Sequence, residues 1–333
     1  MAMDYDTGHN DEAGDQPMAH YVPTQPYEDR RNMDMPRIMV PPPNIDYESG
    51  KASFQIPAPE FARLNASCGD PEFLSSILNH CPLSLEHGML QWKYEMRKNV
   101  QSILPFLIIG PSTEARIRTC IESNGITYLL AVRSTQIISK HPNYLNPARF
   151  SSLAGLNIQT ATFDLDHPYE LISGIKPVVK SINDHLKSSC IQFPITSIDD
   201  IRGRVMMFCE TGNERSAVVV AAYLMVIFGI DAVPAIQIIQ SQRFCTNVVD
   251  EMKSMLVALE GILRAEKMVA TNNMAQAASV RERQEAGQSA LTLNKSSKRN
   301  IDRSYEDDDD MEDVGDWNGN GGQRVGVAPF ADT

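Results

Sequence analysis

VMMFCETGNERSAVVVAAYLMVIF, residues 205 to 228, places a short apolar run and a long apolar run on either side of a polar interruption. The first run, Val205 to Phe208, is too short for a helix and reads as a strand buried on both faces. The second, Ala217 to Phe228, is long enough for a helix with no polar side. Between them stand Cys209, Glu210, Thr211, Gly212, Asn213, Glu214, Arg215 and Ser216. A strand that feeds a helix through a tight loop turns successive backbone N–H groups inward, and the unpaired amides and dipole of the helix's first turn add positive potential at the same point. Such a loop cradles an oxyanion. Gly212 permits the backbone excursion, Arg215 offers two parallel N–H contacts to an oxyanion, and Cys209 at the base is placed to act as a thiolate nucleophile. Ser216 is within reach of the sulfur and eases its later departure. A bare Cys-x5-Arg is weak, since six cysteines and arginine at roughly 5% of residues supply one by chance about a quarter of the time. The strand before it and the apolar helix after it carry the reading; the plain alternative is a core cysteine beside a surface arginine.

Outward from this stretch, strands and helices alternate. Ile103 to Gly110 and Thr127 to Val132 read as buried strands, with helical spacing over Ser112 to Asn124 and a stop at Gly125. A short strand around Ile158 to Phe163 and a helix from about Leu171 to Leu186 follow. The stretch SSCIQFPITSIDDIRG, residues 188 to 203, has no period and reads as an inserted surface loop. Helices over Ala232 to Gln242 and Val249 to Lys267 close a domain at residues 89–268. The order predicts an α/β three-layer sandwich, a mostly parallel central sheet flanked by helices.

The ends differ from this middle. Residues 1–50, with the run Pro41, Pro42, Pro43, bury nothing evident and read as a disordered extension. Residues 51–88 read as a partly helical linker, with Asp70 capping a helix that begins at Pro71; they either pack on the domain or order on binding. Residues 269–333 read as a helix passing into a disordered tail with an acidic run at Glu306 to Asp310, preceded by the basic cluster Lys295, Lys298, Arg299 and Arg303. The formal net charge is -12, and residues 1–50 and 306–333 carry -7 and -8 of it, leaving +3 on the middle. A phosphate-bearing partner is not repelled there. No apolar run reaches about 18 residues, and the start is acidic where a secretory signal is basic, so a membrane span and secretion are not expected. The cysteines at 68, 81, 120, 190, 209 and 245 show no metal-ligand spacing and read as thiols of a reducing compartment.

The strand, Cys209-x5-Arg215-Ser216 and apolar helix resemble the signature of the cysteine-dependent protein tyrosine phosphatases, in their dual-specificity branch. MRKNVQSILPFLIIGP, NGITYLLAV, FDLDHP and QRFCTN extend the likeness over most of residues 89 to 268, and it is similar to the branch's pseudophosphatases in particular. The resemblance implies a phosphocysteine intermediate on Cys209, a phosphate-binding loop from Cys209 to Arg215, and a general acid in FDLDHP. Asp164 and Asp166 are the candidates there, and the spacing to Ile172 favours Asp166. A helix N-terminal carboxylate is the alternative reading of Asp166. The resemblance further implies phosphorylated proteins as partners, signalling kinases or ubiquitin-ligase components among them. It implies a monomer without cofactor or metal, without nucleic acid or membrane, in the cytoplasm or nucleus.

The chain departs from the pattern in ways that point both ways. The branch's pseudophosphatase has glycine where this chain has Cys209, so the nucleophile is present. Phe208 stands where the family has a histidine that orders the loop, and Glu210 and Glu214 put carboxylates in the loop. A carboxylate about 7 Å from a phosphate opposes it by roughly 2 kcal/mol at an effective dielectric near 20. Glu214, beside Arg215, is the one able to bend the loop or satisfy the arginine internally. Three readings follow: a weakly active phosphatase, a phosphoprotein-binding pseudophosphatase, and a structural interaction module.

Overall fold

The computed structural model describes residues 37–41, 53–55, 66–79, 84–86, 92–191 and 200–293. The acidic tail, the basic cluster before it and most of the N-terminal extension lie outside these residues. By contact density the chain divides at Met274 into residues 1–274 and 275–333.

Among its described residues the first unit contains two sheets. A small antiparallel pair joins β1 (Ser53–Gln55) to β2 (Ser84–Glu86). The main sheet has five strands: β3 (Gln101–Leu104), β4 (Leu107–Pro111), β5 (Ile126–Arg133), β6 (Gln159–Asp164) and β7 (Arg204–Cys209). Their order is β3-β4-β7-β5-β6, parallel throughout except for β3. The sequence expectation of one strand over Ile103 to Gly110 is corrected here. The run is a hairpin, broken at Pro105, whose ring removes a ladder donor and lets the chain reverse. Ser112 to Asn124 also divides, into a single turn at Glu114–Arg116 and α2 (Arg118–Ser123), and Gly125 ends it in a left-handed conformation at φ +61°.

The central strand β7 shows why the sheet needs a layer on each face. Val205, Met207 and Cys209 point into the larger core, while Met206 and Phe208 point into a second cluster with Ile108, Leu129, Ala131 and Ile121. This is the period-two alternation of a strand buried on both sides. The larger core is covered by α4 (Pro168–Cys190), α5 (Arg215–Phe228), α6 (Ala232–Gln242) and the start of α7 (Asp250–Leu293). The smaller is covered by α2 and the turns at 147–153, with α3 (Thr135–Lys140) beyond the end of β5. Twelve of the fourteen residues of α5 are buried, as its unbroken apolar sequence requires. Helix α4 reaches Cys190, and Ile201 is in the core, so the expected surface loop over 188–203 is corrected at both ends, and residues 192–199 of it lie outside the described residues.

Two outlying segments join the core. Asp70 caps α1 (Pro71–Asn79), its Oδ1 accepting from the backbone of Glu72 at 3.0 Å, and Cys68 and Leu74 are buried in the larger cluster. Asn183 in α4 donates to the Cys68 carbonyl and accepts from Tyr223, which leaves no orphaned polar atom on that amide's two ends. Residues 37–41 form an extended strap. Val40 packs on the core, Lys253 donates to the Ile38 carbonyl at 3.1 Å, and Gln237 donates to that of Pro41 at 2.7 Å. The expectation that the first fifty residues bury nothing is corrected at Val40. Among the described residues no helix is long and apolar enough to cross a membrane.

Candidate active site

The C-terminal end of β7 delivers Cys209 to the head of α5, with the loop 210–214 folded over it. Cys209 is 3% exposed. Its Sγ accepts from the Gly212 N–H at 3.2 Å and from the Ser216 hydroxyl at 3.2 Å. Gly212 has φ +75°, and a Cβ there would lie 2.4 Å from the backbone carbon of Gly110 in β4. No other residue fits that place without moving the strand.

The loop's carbonyl groups are all turned away from the sulfur, each by a named donor. Ser112, at the end of β4, donates its N–H to the Glu210 carbonyl at 3.2 Å, and its hydroxyl reaches the same oxygen. Arg243, at the end of α6, donates to the carbonyls of Thr211 and Gly212 at 3.2 and 3.1 Å. The Asn247 N–H holds the Asn213 carbonyl at 3.1 Å, and the Glu214 carbonyl enters α5 through Val218. In a planar trans peptide the N–H points opposite to the C=O, so the amides of residues 211, 212, 214 and 215 are turned toward the inner side of the loop, while the Asn213 N–H donates to Thr211 Oγ1 at 3.2 Å. Glu214 precedes α5 without capping it by its side chain, so the helix's first-turn amides face the same space.

Arg243 is the residue that sequence reasoning missed. It is fully buried, and its guanidinium also donates to the carbonyls of Arg97 and Asn99, to the Asn213 side chain and to Gln101 Oε1. Burial pushes its pKa below the ordinary arginine value, and the neighbouring Cys245 and Cys209 oppose that. A signal was present, since Ile236, Ile239 and Arg243 share the buried face of α6 at positions i, i+3 and i+7. Phe208 faces the other way, 0% exposed in the second cluster with its ring 6.0 Å from that of Phe150. The lack of a histidine at 208 therefore does not leave the loop without support.

Asp166 and Arg215 meet. Arg215 Nη2 lies 3.0 Å from Asp166 Oδ1, and its Nε donates to the same oxygen and to the Leu165 carbonyl, each at 3.1 Å. The other carboxylate oxygen, Oδ2, accepts from the Ser134 hydroxyl at 2.7 Å and the Gln136 N–H at 2.9 Å, the first turn of α3. Burial by itself would raise the Asp166 carboxyl, but these N–H and O–H donors and the guanidinium outweigh it and hold the group below the usual carboxylate range. Glu214 makes no ion pair with Arg215 among the described residues; Asp166 does so instead. The other carboxylate of FDLDHP, Asp164, accepts a two-pronged contact from Arg133 at 2.7 and 3.0 Å. Arg133 also reaches the carbonyls of Pro142 and Tyr144 and so fixes the turn that carries Tyr144, where Leu145 is strained at φ +48°. Tyr144 stands by Glu210, with Arg215 and Cys209 in electrostatic reach; its phenol is raised first by burial and then by Glu210.

No group of three or more histidine, cysteine or acidic side chains could hold a metal among the described residues. The five described cysteines are free thiols.

Residues 107–261 match the family of the dual specificity phosphatase, catalytic domain. The serine/threonine/tyrosine-interacting protein A of Xenopus laevis is 30% identical over 158 residues, 47% of this chain and 62% of that protein. The serine/threonine/tyrosine-interacting protein of Mus musculus is 25% identical over 224 residues, 66% of this chain and 86% of that protein. The solved structure of the human tyrosine phosphatase-like serine/threonine/tyrosine-interacting protein is 24% identical, covers 49% of this chain and 96% of its own, and superposes with a TM-score of 0.38.

Proposed function

We propose, from a chain whose residues 107–261 are a dual specificity phosphatase domain, that it is a weak phosphoprotein phosphatase working through a phosphocysteine on Cys209. The observation that carries this reading is the buried sulfur held by Gly212 and Ser216 at the base of a loop whose carbonyls are all turned outward. A phosphate seated on the inward amides has the Cys209 thiolate beneath its phosphorus. The Nη1 end of Arg215 remains for its oxygens while Nε and Nη2 hold Asp166. The sulfur attacks, the ester oxygen departs, and water then releases phosphate from the sulfur, with Ser216 stabilising the returning thiolate. The partners would be phosphorylated proteins, in a signalling role in the cytoplasm or nucleus.

A second reading is phosphoprotein binding without turnover, and one observation favours it. Asp166, the expected proton donor, is engaged with Ser134, Gln136 and Arg215. Incubation with p-nitrophenyl phosphate separates the two. The phosphatase reading expects slow release of nitrophenol that Cys209→Ser abolishes, with a phosphate adduct trapped on the peptide carrying Cys209. Binding of phosphopeptides with no Cys209-dependent release would establish the second.

A further inference from the structure

The acid chemistry of the site turns on what holds Asp166. Four donor contacts surround its carboxylate: the Ser134 hydroxyl and Gln136 N–H on Oδ2, and Arg215 Nε and Nη2 on Oδ1. The backbone is fixed as well. Glu170, in the first turn of α4, accepts from the N–H groups of both Asp166 and His167 on Oε2, while its Oε1 accepts from the Thr135 hydroxyl. Asp166 thus ties β6's end, α3 and α4 together, and its side chain is only 8% exposed. Turning it toward a leaving group would abandon the α3 contacts and release Arg215. Four donors on the carboxylate favour its ionised form over the acid that would have a proton to give. Asp164 is spoken for by Arg133 in the same way.

We infer that the site cleaves phosphate esters of phenols and binds, without cleaving, phosphate esters of aliphatic alcohols, with Asp166 acting as a positioning residue for Arg215 and not as the proton donor. This rests on the phosphocysteine reading above. In the first step the Cys209 thiolate forms the S–P bond as the P–O bond breaks, and the oxygen leaves with the electron pair. A tyrosine phenolate, conjugate to an acid of pKa about 10, departs as the anion and takes its proton from water. The alkoxide of serine or threonine is far more basic and does not depart unprotonated. Water then cleaves the S–P bond, giving inorganic phosphate, a solvent proton and the thiolate. The net reaction is hydrolysis, and no further reactant enters.

The test compares kcat/KM of the full chain on p-nitrophenyl phosphate, phenyl phosphate, a phosphotyrosine peptide and the matching phosphoserine peptide, with Asp166→Asn and Ser134→Ala beside the native chain. The expected result is a steep fall from nitrophenyl to phenyl phosphate, and a phosphoserine peptide that competes for the site but is not consumed. Asp166→Asn should change both aryl rates by the same factor, leaving their ratio within about threefold of the native one, and Ser134→Ala should leave it there too. A donated proton contributes roughly 100- to 10,000-fold, and chiefly to the poorer leaving group. A native chain with nearly equal aryl rates, made unequal by Asp166→Asn, would return Asp166 to the role of acid and overturn the inference. Equal aryl rates in both chains would overturn it too, by pointing to another donor such as Glu210, and so would consumption of the phosphoserine peptide at the phosphotyrosine rate. Absence of any Cys209-dependent release would instead overturn the phosphatase reading itself, and the inference with it.

Discussion

Arg243 Nε lies 3.1 Å from the carbonyl oxygen of Gly212, across 31 residues of sequence, and through this contact α6 sets the direction of the loop above Cys209. The guanidinium has neutral acceptors on all sides, so removing it orphans several carbonyls at once. Arg243→Met should cost at least about 3 kcal/mol in urea denaturation, by the cost of leaving buried acceptors unsatisfied. Arg243→Lys, which keeps the charge but loses the fork, should fold and yet show a smaller rise in melting temperature on adding tungstate. An unchanged tungstate response in the lysine variant would mean that the loop holds its own shape.

Gly212→Ala tests the loop from above. The added methyl meets the backbone of Gly110 and Pro111 at φ +75°, and neither strand nor loop can yield cheaply. A loss of tungstate binding with a stability drop of about 2 kcal/mol or more is expected, from backbone strain and overpacking together. Retained binding would show that the loop has a second conformation competent for the anion.

Phe208→His installs the residue that the resemblance implies before the cysteine, but into an apolar cluster against Phe150. It should destabilise the chain by about 1–3 kcal/mol, the cost of burying a polar ring without partners. No gain in turnover is expected, because Ser112, Arg243 and Asn247 already order the loop. A rise in kcat on p-nitrophenyl phosphate would contradict this.

His185, under the sheet, exchanges hydrogen bonds with Thr127 and Gln159, and burial lowers its pKa from 6.5. The unfolded chain therefore binds the extra proton at higher pH than the folded one. Stability from this group is complete above about pH 6.5 and is lost as pH falls below it toward the lower folded value. Urea midpoints at several pH values should fall on the acid side in the native chain, and His185→Gln should flatten that fall between pH 5 and 6.5. An identical slope in the variant would assign the effect to other groups.

The sequence revealed the parts of this molecule that depend on neighbours in the chain. Val205 to Phe228 showed its strand, loop and helix because apolar runs of the two lengths admit little else, and Asp70 announced α1 by the ordinary capping rule. The hairpin at Pro105 was hidden because both arms are apolar and no glycine marks the turn. The identity of Cys209, Arg215 and Ser216 as one cluster was legible because they lie within one stretch. What Asp166 and Arg243 do was not, since both answers depend on residues 30 or more positions away, Ser134 for one and Gly212 for the other. Spacing can nominate an acid; only contacts across the fold say whether its proton is available.

The strap at residues 37–41 sets a clock on synthesis. Ile38 leaves the ribosome well before the lysine that holds its carbonyl, which is 215 positions later. At about 5–20 residues per second, that separation is on the order of 10 to 40 s in which Val40 has no seat. The strap can close only when α6 and the head of α7 have emerged and packed, the same stage at which Arg243 and Asn247 reach the loop over Cys209. An N-terminal fusion that hinders this closure should leave the sheet intact and loosen the seam over α6 and α7, seen as faster amide hydrogen exchange at Gln237 and Lys253 than in the unfused chain.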